Sequence, residues 1–284
     1  MIYLWVVSLI WAFSFGLIKG NLAGLDANFV AAARLLISLL VFLPMMRLKG
    51  VNRRLAWMLM GIGAVQYGVM YLTYIASFAF LKAYEIALFT IFTPVYVTLI
   101  HDALQRKFQV RHLALAALAV LGTGVVVYGG LQSPGMWRGF LLVQVSNLCF
   151  AFGQVAYKAA LPPEMEVKEE RLFGLLYLGG AATAALAALF FTDWGAVAVS
   201  GRQAWTLLYL GVVASGLSFF LWNMGARRVG AGALAIFNDL KVPLAILVSL
   251  VFFGEEANLL RLALGGGVVL AALVMSERVK VTPT

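Results

Sequence analysis

The sequence predicts an all-α membrane protein with ten transmembrane helices, arranged as two inverted five-helix repeats around a central cavity. Hydrophobic residues make up 63% of the chain and charged residues 12%, well below the roughly 25% charged residues of an average soluble domain. Ten apolar segments reach the length of about 20 residues that a helix needs to cross a bilayer. The repeats are predicted at residues 1–132 and 133–284, with Pro94 and Pro243 at corresponding places.

The ten predicted helices cover nearly the whole chain. The first could be mistaken for a signal peptide, but no basic segment precedes it and nine similar segments follow. A single cysteine, Cys149, excludes an intramolecular disulfide. In chain order the predicted helices occupy residues 2–20, 28–46, 55–78, 84–103, 111–129, 137–159, 171–191, 204–223, 232–252 and 259–276.

The positions of the basic residues predict the topology. A net charge of +9 would suggest nucleic acid as a partner of a soluble chain, but here most Lys and Arg residues fall in alternate links between the predicted helices. Cytoplasmic loops carry such an excess, so we expect both termini in the cytoplasm, an inner (plasma) membrane location and no nucleic-acid partner. The opposite ends hold only Lys19, Lys82, Arg138, Arg202 and Arg261.

The two halves share short stretches of sequence. Residues 9–19 read LIWAFSFGLIK and residues 148–158 read LCFAFGQVAYK; residues 91–100 read IFTPVYVTLI, and their proline aligns with that of NDLKVPLAIL at 238–247. Five helices is an odd number, so two consecutive copies must insert with opposite orientation. In inverted repeats of this kind the substrate site typically lies near the bilayer midplane, between the repeats.

These motifs resemble the EamA-type branch of the drug/metabolite transporter superfamily. The resemblance is carried by WAFSFGLIK in the first helix, Arg34 in the second, the Pro94 and Pro243 helices, and FFGEE at 252–256. It implies that helices 1, 3, 4, 6, 8 and 9 surround a central cavity and that helices 5 and 10 pack at its periphery. The Gly-Glu pair of FFGEE has no counterpart after the fourth helix, so we assign it packing or gating and no transport role.

The ninth predicted helix carries polar residues near the middle of the membrane. Charged residues such as Asp239 and Lys241 each cost about 2.5–3.5 kcal/mol there, so they need partners or water. Lys241 shares a helical face with Asn238. Pro243 removes a backbone donor, as Pro94 does at the corresponding place, and we expect each proline to kink its helix and to serve gating. We expect Lys241 to bind a substrate carboxylate or other anion and Asn238 to orient the substrate. Asp239 would hold a cation or take up a proton.

The main alternative for these residues is a purely structural network with buried groups such as Arg34. The resemblance assigns Arg34 to clamping the two halves together rather than to the substrate.

The third predicted helix carries an aromatic stripe. Tyr67, Tyr71, Tyr74 and Phe78 are spaced by four, three and four residues, which places them on one face of a regular helix. Such stripes also serve in packing or in interfacial belts. Because this stripe runs through the depth of the span, it favours a cavity wall for an amphipathic organic solute.

Further candidates for the substrate path lie on helices that the resemblance places around the cavity. Amides in these positions also serve as helix contacts. These candidates are Trp11, Ser14, Phe15, Gln144, Asn147, Gln154, Trp222 and Asn223.

Several function classes lack their sequence signals. The chain has no GxxxxGK[ST] loop for ATP and no HExxH pair, so we expect no enzyme activity, no metal and no cofactor. A wet polar core would also fit a channel, but the inverted repeat favours a carrier with alternating access.

The sequence therefore predicts a facilitative or gradient-driven carrier of a small polar organic solute. Amino acids or related carboxylates and amines are the leading substrate class, and the resemblance favours export as the direction of transport. The expected partners are this solute and the lipid bilayer, and the chain is expected to be a monomer or a homodimer. The alternatives are a nucleotide-sugar or drug carrier, a channel, and a non-transporting scaffold or sensor.

Overall fold

The computed structural model describes residues 2–49, 51–105, 135–161, 168–228, 231–256, 260, 263–264 and 267. These residues form helices and no strands. Seven helices are long and apolar enough to cross a membrane, and an eighth contains a shorter apolar stretch at Lys241–Phe252. They are α1 (Ile2–Asn21), α2 (Ala27–Met45), α3 (Arg53–Ser77), α4 (Ala83–Leu104), α5 (Met136–Ala160), α6 (Glu169–Phe191), α7 (Gly201–Arg228) and α8 (Ala231–Phe252).

Eight of the ten predicted helices correspond to α1–α8, so the all-helical membrane class is confirmed. The predicted helix at 111–129 and almost all of the one at 259–276 lie outside the described residues, so the ten-helix arrangement stays a prediction. The largest boundary error concerns α7, which continues to Arg228 rather than ending at 223. Its last turn carries Arg227 and Arg228, and hydropathy does not distinguish such a basic helix end from a link.

Two of the helices contain a wider, π-helical turn. These turns are Ala64–Val69 in α3 and Leu210–Leu217 in α7. A π turn disturbs the regular pattern of backbone hydrogen bonds and is frequent at functional sites. In α7, three side chains from other helices donate hydrogen bonds to backbone carbonyls of the turn. The bonds are Ser38 Oγ to Gly211 O (2.8 Å), Trp11 Nε1 to Ala214 O (2.8 Å), and Tyr177 Oη to Ser215 O (2.7 Å) and Gly216 O (2.9 Å).

The two predicted kink prolines differ in their surroundings. Before Pro94 the α4 helix tightens into a 3₁₀ turn, Thr90–Phe92, and then resumes at Thr93. The carbonyl of Thr90, which would bond an N–H at position 94 in a regular helix, accepts the Thr93 hydroxyl instead (2.7 Å). The α8 helix, in contrast, continues through Pro243. The α-helical pattern of the described residues is therefore interrupted just before Pro94 and uninterrupted at Pro243, and the predicted kink at Pro243 stays a prediction.

One end of α8 is joined to the start of α4. The Glu255 carboxylate accepts the backbone N–H groups of Ala83 (2.9 Å) and Tyr84 (3.0 Å) and also contacts the Ser249 hydroxyl. Lys82 Nζ donates to the carbonyl of Glu256 (2.7 Å). A carboxylate at a helix N-terminus satisfies otherwise unpaired donors, so the Gly-Glu pair of the sequence serves packing between the halves here.

Candidate functional site

A cavity lies among the helices, with about 520 Å³ of empty space including its opening. All the helices that the resemblance places around a cavity contribute to it, and α2 adds Arg34. The predicted helices 6, 8 and 9 are α5, α7 and α8. The lining consists of Trp11, Ser14, Phe15, Arg34, Met70, Tyr71, Tyr74, Thr90, Thr93, Ser146, Asn147, Phe150, Phe219 and Lys241.

Lys241 lines this cavity and is held among aromatic rings. Its side chain is 5% exposed, and Nζ lies 5.2 Å from the ring centre of Trp11, 5.3 Å from that of Phe150 and 6.0 Å from that of Trp222. Ring faces attract a cation, and more strongly where water is excluded. These contacts stabilise a buried ammonium group.

Asn238 and Asp239 belong to the backbone of α8, but their side chains lie outside the described part of the chain. Their predicted roles beside Lys241 therefore stay predictions.

Arg34 is the second cation of the lining. It is 2% exposed, and its Nε and Nη2 donate to the Ser215 hydroxyl (3.2 and 3.0 Å). Nη2 also donates to the Tyr71 hydroxyl (3.1 Å), and the guanidinium carbon lies 4.6 Å from the Tyr71 ring centre. Arg34 thus joins α2 to α3 and α7, and its predicted role in clamping the two halves stays a prediction. It also contributes to the cavity wall, which the sequence did not indicate.

A series of contacts between aromatic rings, here called the aromatic row, connects the two cations. The Trp11 ring, beside Lys241, lies 4.9 Å from the Phe219 ring, and Phe219 lies 5.9 Å from the Tyr71 ring, beside Arg34. No acidic residue is among the described residues of the lining. The site therefore combines an apolar wall with positive charge at each end of the row.

The predicted aromatic stripe of α3 is divided. Tyr71 and Tyr74 line the cavity, whereas Tyr67 is fully buried away from the lining and stacks on Tyr177 of α6 at 5.1 Å. Tyr67 lies inside the π turn, where a wider turn changes the direction of its side chain relative to a regular helix. Phe78 packs edge-on against Tyr74 at 5.2 Å.

The candidates on α1, together with Asn147 of α5, line the cavity, whereas Gln144 and Gln154 of α5 are not among the lining residues. The Ser14 hydroxyl donates to the carbonyl of Trp11 (2.8 Å). Asn147 Nδ2 donates to the carbonyl of Phe89 (2.8 Å), and its Oδ1 accepts from Thr93 (3.4 Å). Asn147 thereby supports the broken turn of α4, because Phe89 directly precedes that turn.

Trp222 and the amides behind it form a buried layer next to the cavity rather than part of its lining. Trp222 Nε1 donates to Gln154 Oε1 (3.3 Å). Asn223 Nδ2 donates to the Tyr67 hydroxyl (3.0 Å), and its Oδ1 accepts from Gln66 (3.3 Å). Trp222 still reaches the site indirectly, since its ring is one of the three around Lys241.

Sequence reasoning missed several neutral residues of the lining. Thr90 and Thr93 lie beside the proline-associated break, a signal that could have identified them. Met70, Ser146, Phe150 and Phe219 offered no such signal, because small hydroxyls and apolar side chains occur throughout these helices.

Comparisons with known proteins agree along almost the whole chain. The model of the EamA-like transporter family matches residues 1–128 and 137–277. A protein of Pseudomonas aeruginosa named "Probable biotin transporter" is 41% identical over 275 residues, which is 96% of each chain. Proteins named "Biotin transporter" from Salmonella typhimurium and Escherichia coli are 37% and 36% identical over 96% of this chain and 91% of theirs.

A solved crystal structure also has a similar fold. It aligns with a TM-score of 0.71 at 19% sequence identity and covers 99% of this chain and 98% of its own. At this identity the likeness concerns the fold alone.

Proposed function

Because the chain belongs to the EamA-like transporter family, we propose that it is a secondary carrier that moves biotin across the membrane by alternating access. The family and the relatives make the chain a multi-pass membrane transporter of a small molecule and not an enzyme. The choice of biotin rests on the names of relatives that are 36–41% identical nearly end to end.

Biotin belongs to the carboxylates of the predicted substrate class, and the relatives favour it over an amino acid. The molecule carries a carboxylate on a flexible hydrocarbon chain and a fused ring system with a cyclic urea. The expectation of export rested only on the family resemblance. The names of the relatives do not support it.

The observation that carries this proposal is the cavity with aromatic walls and two cations. Lys241 at one end is the proposed partner of the carboxylate, since an ammonium group surrounded by rings binds a carboxylate with little competition from water. Trp11, Phe150 and Phe219 supply apolar surface for the body of the ligand.

The same proposal includes the predicted ten-helix inverted repeat with both termini in the cytoplasm. Support comes from the π turns, Ala64–Val69 and Leu210–Leu217, which lie in the third predicted helix of each half. Labelling of single cysteines introduced at Lys49 and Arg202 tests the orientation: we expect reaction from the cytoplasmic side only at Lys49 and from the other side only at Arg202.

Counterflow in proteoliposomes tests the transport proposal. Unlabelled biotin inside the vesicles should accelerate entry of labelled biotin, because a carrier returns faster when loaded. Amino acids, a nucleotide sugar and a drug-like cation outside should not compete. Biotin flux without acceleration would indicate a channel, and biotin binding without flux would indicate a sensor. Competition by another class of solute would indicate that this class, rather than biotin, is the substrate.

Replacement of Lys241 tests the site within the same assay. We expect Lys241→Met to lower biotin counterflow at least tenfold, since a hydrogen bond to a charged group contributes about 1.5–3 kcal/mol. Lys158→Met, on α5 and outside the lining, is the matched control and should transport like the unmodified protein. Undiminished transport by a well-expressed Lys241→Met protein would reject the role of this ammonium group.

A further inference from the structure

We infer that Arg34 is a second substrate anchor, whose Nη1 donates hydrogen bonds to the urea carbonyl oxygen of biotin while Lys241 binds the carboxylate. This inference rests on the proposed function, because it concerns how biotin is oriented in the cavity. It gives Arg34 a role in specificity beyond clamping the two halves.

The first argument is the unpaired end of the guanidinium group. Nε and Nη2 of Arg34 are bonded to the hydroxyls of Ser215 and Tyr71. Nη1 is buried and has no hydrogen-bond partner among the described residues. A buried charged donor without a partner destabilises a protein, and a ligand oxygen that reaches Nη1 would remove this cost.

The second argument is the distribution of charge and apolar surface. Lys241 lies beside Trp11 at one end of the aromatic row, and Arg34 lies beside Tyr71 at the other, with Phe219 between the two rings. Biotin has the same order of groups: a carboxylate, an apolar chain and ring, and a polar urea. A ligand with a polar group at each end can use both cations at once.

The third argument concerns which polar group of biotin each cation binds. A guanidinium is delocalised and weakly hydrated, and it is stable when stacked on an aromatic ring, as Arg34 is on Tyr71. The hydrogen-bond partners of Arg34 are neutral hydroxyl groups. A urea oxygen is also neutral and can accept several hydrogen bonds, so it is a suitable further partner. The ammonium of Lys241 is a compact, strongly hydrated charge, so its removal from water is best compensated by a carboxylate.

The arrangement also makes the ligand a bridge between the halves. Arg34 lies on α2 in the first half and Lys241 on α8 in the second. A ligand anchored at both ends therefore contacts both halves, as a substrate must in alternating access around one site.

Three ligands, biotin, biotinamide and 2-iminobiotin, test the carboxylate contact and the urea contact separately. Biotinamide lacks the carboxylate, and 2-iminobiotin replaces the urea oxygen with an imino group that is protonated at neutral pH. Binding to purified protein is measured by calorimetry or by competition with labelled biotin. For the unmodified protein we expect both analogues to bind about tenfold to a hundredfold more weakly than biotin, the range of hydrogen bonds to charged groups.

Two matched variants then assign each preference to one residue. In Arg34→Gln we expect the preference for biotin over 2-iminobiotin to fall at least tenfold, while the preference over biotinamide persists. In Lys241→Gln we expect the preference for biotin over biotinamide to fall at least tenfold, while the preference over 2-iminobiotin persists. If Arg34→Gln leaves both preferences unchanged, or removes the preference over biotinamide instead, the inference is wrong.

Arg34→Gln could also fail to fold, because Arg34 joins α2 to Ser215 of α7. The unmodified protein then decides alone: equal affinity for biotin and 2-iminobiotin overturns the urea contact, and rejection of 2-iminobiotin supports it. Failure of the proposed function looks different. In that case stable, unmodified protein would bind none of the three ligands and would show no biotin counterflow.

Discussion

The π turns of α3 and α7 are the same backbone irregularity in two different surroundings. The α7 turn is held by side-chain hydrogen bonds from α1, α2 and α6 to four of its carbonyls. At the α3 turn, the one side-chain bond to a carbonyl among the described residues is from Thr73 of the same helix to Val69 (3.0 Å).

Close helix packing takes the place of hydrogen bonds at the α3 turn. A Cβ added to Gly63, just before the turn, would overlap the backbone carbonyl of Leu176 in α6. A Cβ on Gly68, within the turn, would lie 2.6 Å from Cβ of Thr183. The α3 turn is thus fixed by shape and the α7 turn by polar contacts, which predicts different sensitivities to mutation.

The largest effect is expected where α3 meets the α6 backbone. Gly63→Ala should lower the free energy of unfolding by about 3 kcal/mol, the upper part of the usual range for overpacking, because a backbone carbonyl cannot move aside as a side chain can. The measurement is the thermal midpoint in detergent, followed by fluorescence-detected size exclusion.

Gly61 provides the matched control two residues earlier in α3, since a Cβ there would meet nothing within 4 Å. Gly61→Ala should be neutral or stabilising by about 0.5–1 kcal/mol, because Gly is the poorer helix former. Equal midpoints for the two variants would show that the close approach of α3 and α6 is not required.

An intermediate effect is expected at the α7 turn. Tyr177→Phe removes the hydroxyl that donates to the carbonyls of Ser215 and Gly216, so a buried acceptor loses its partner at a cost of about 1–3 kcal/mol. Tyr209→Phe, at an exposed position of α7, should change the midpoint little, about 0.5 kcal/mol or less. A Tyr177→Phe protein as stable as this control would contradict the polar account of the turn.

The smallest effects compare one hydroxyl at each turn. Ser38→Ala removes the donor to Gly211 of the α7 turn and should destabilise by about 1 kcal/mol. Thr73→Val at the α3 turn keeps the side-chain shape and should cost about 0.5 kcal/mol or less, because Thr73 is only part-buried. The thermal midpoints of the two variants are measured side by side, and the reverse order would break the comparison.

Hydropathy predicted the helices because they are apolar over the length that crosses a membrane, but it could not predict these turns. The residues of the turns, Ala64–Val69 and Leu210–Leu217, are mostly apolar or small like their surroundings, so the sequence does not report a local change in helical register. The aromatic spacing of α3 was therefore extrapolated through Tyr67 as if the helix were regular. Tyr71 and Tyr74, beyond the turn, do reach the cavity.

Charge identified part of the site, for a physical reason. Lys241 was recognised because a charge inside a membrane requires a partner or water, and it lines the cavity. Arg34 was assigned only to clamping, since no sequence pattern indicates which nitrogens of a guanidinium are already bonded. Hydroxyl groups such as that of Thr93 donate to carbonyls of their own helix. The presence of a serine or threonine in the sequence therefore does not show whether the residue lines a cavity or lies at a contact between helices.

The contact of Glu255 with the first turn of α4 has a consequence for how the halves separate. Ala83 and Tyr84 belong to a helix terminus, whose N–H groups hydrate readily once the carboxylate leaves. The bonds around the α7 turn have no such substitute within the membrane. Parting at the Glu255 end would exchange one acceptor for water, whereas parting at the α7 turn would leave carbonyls without a partner. We therefore expect the bundle to open more easily at the Glu255 end.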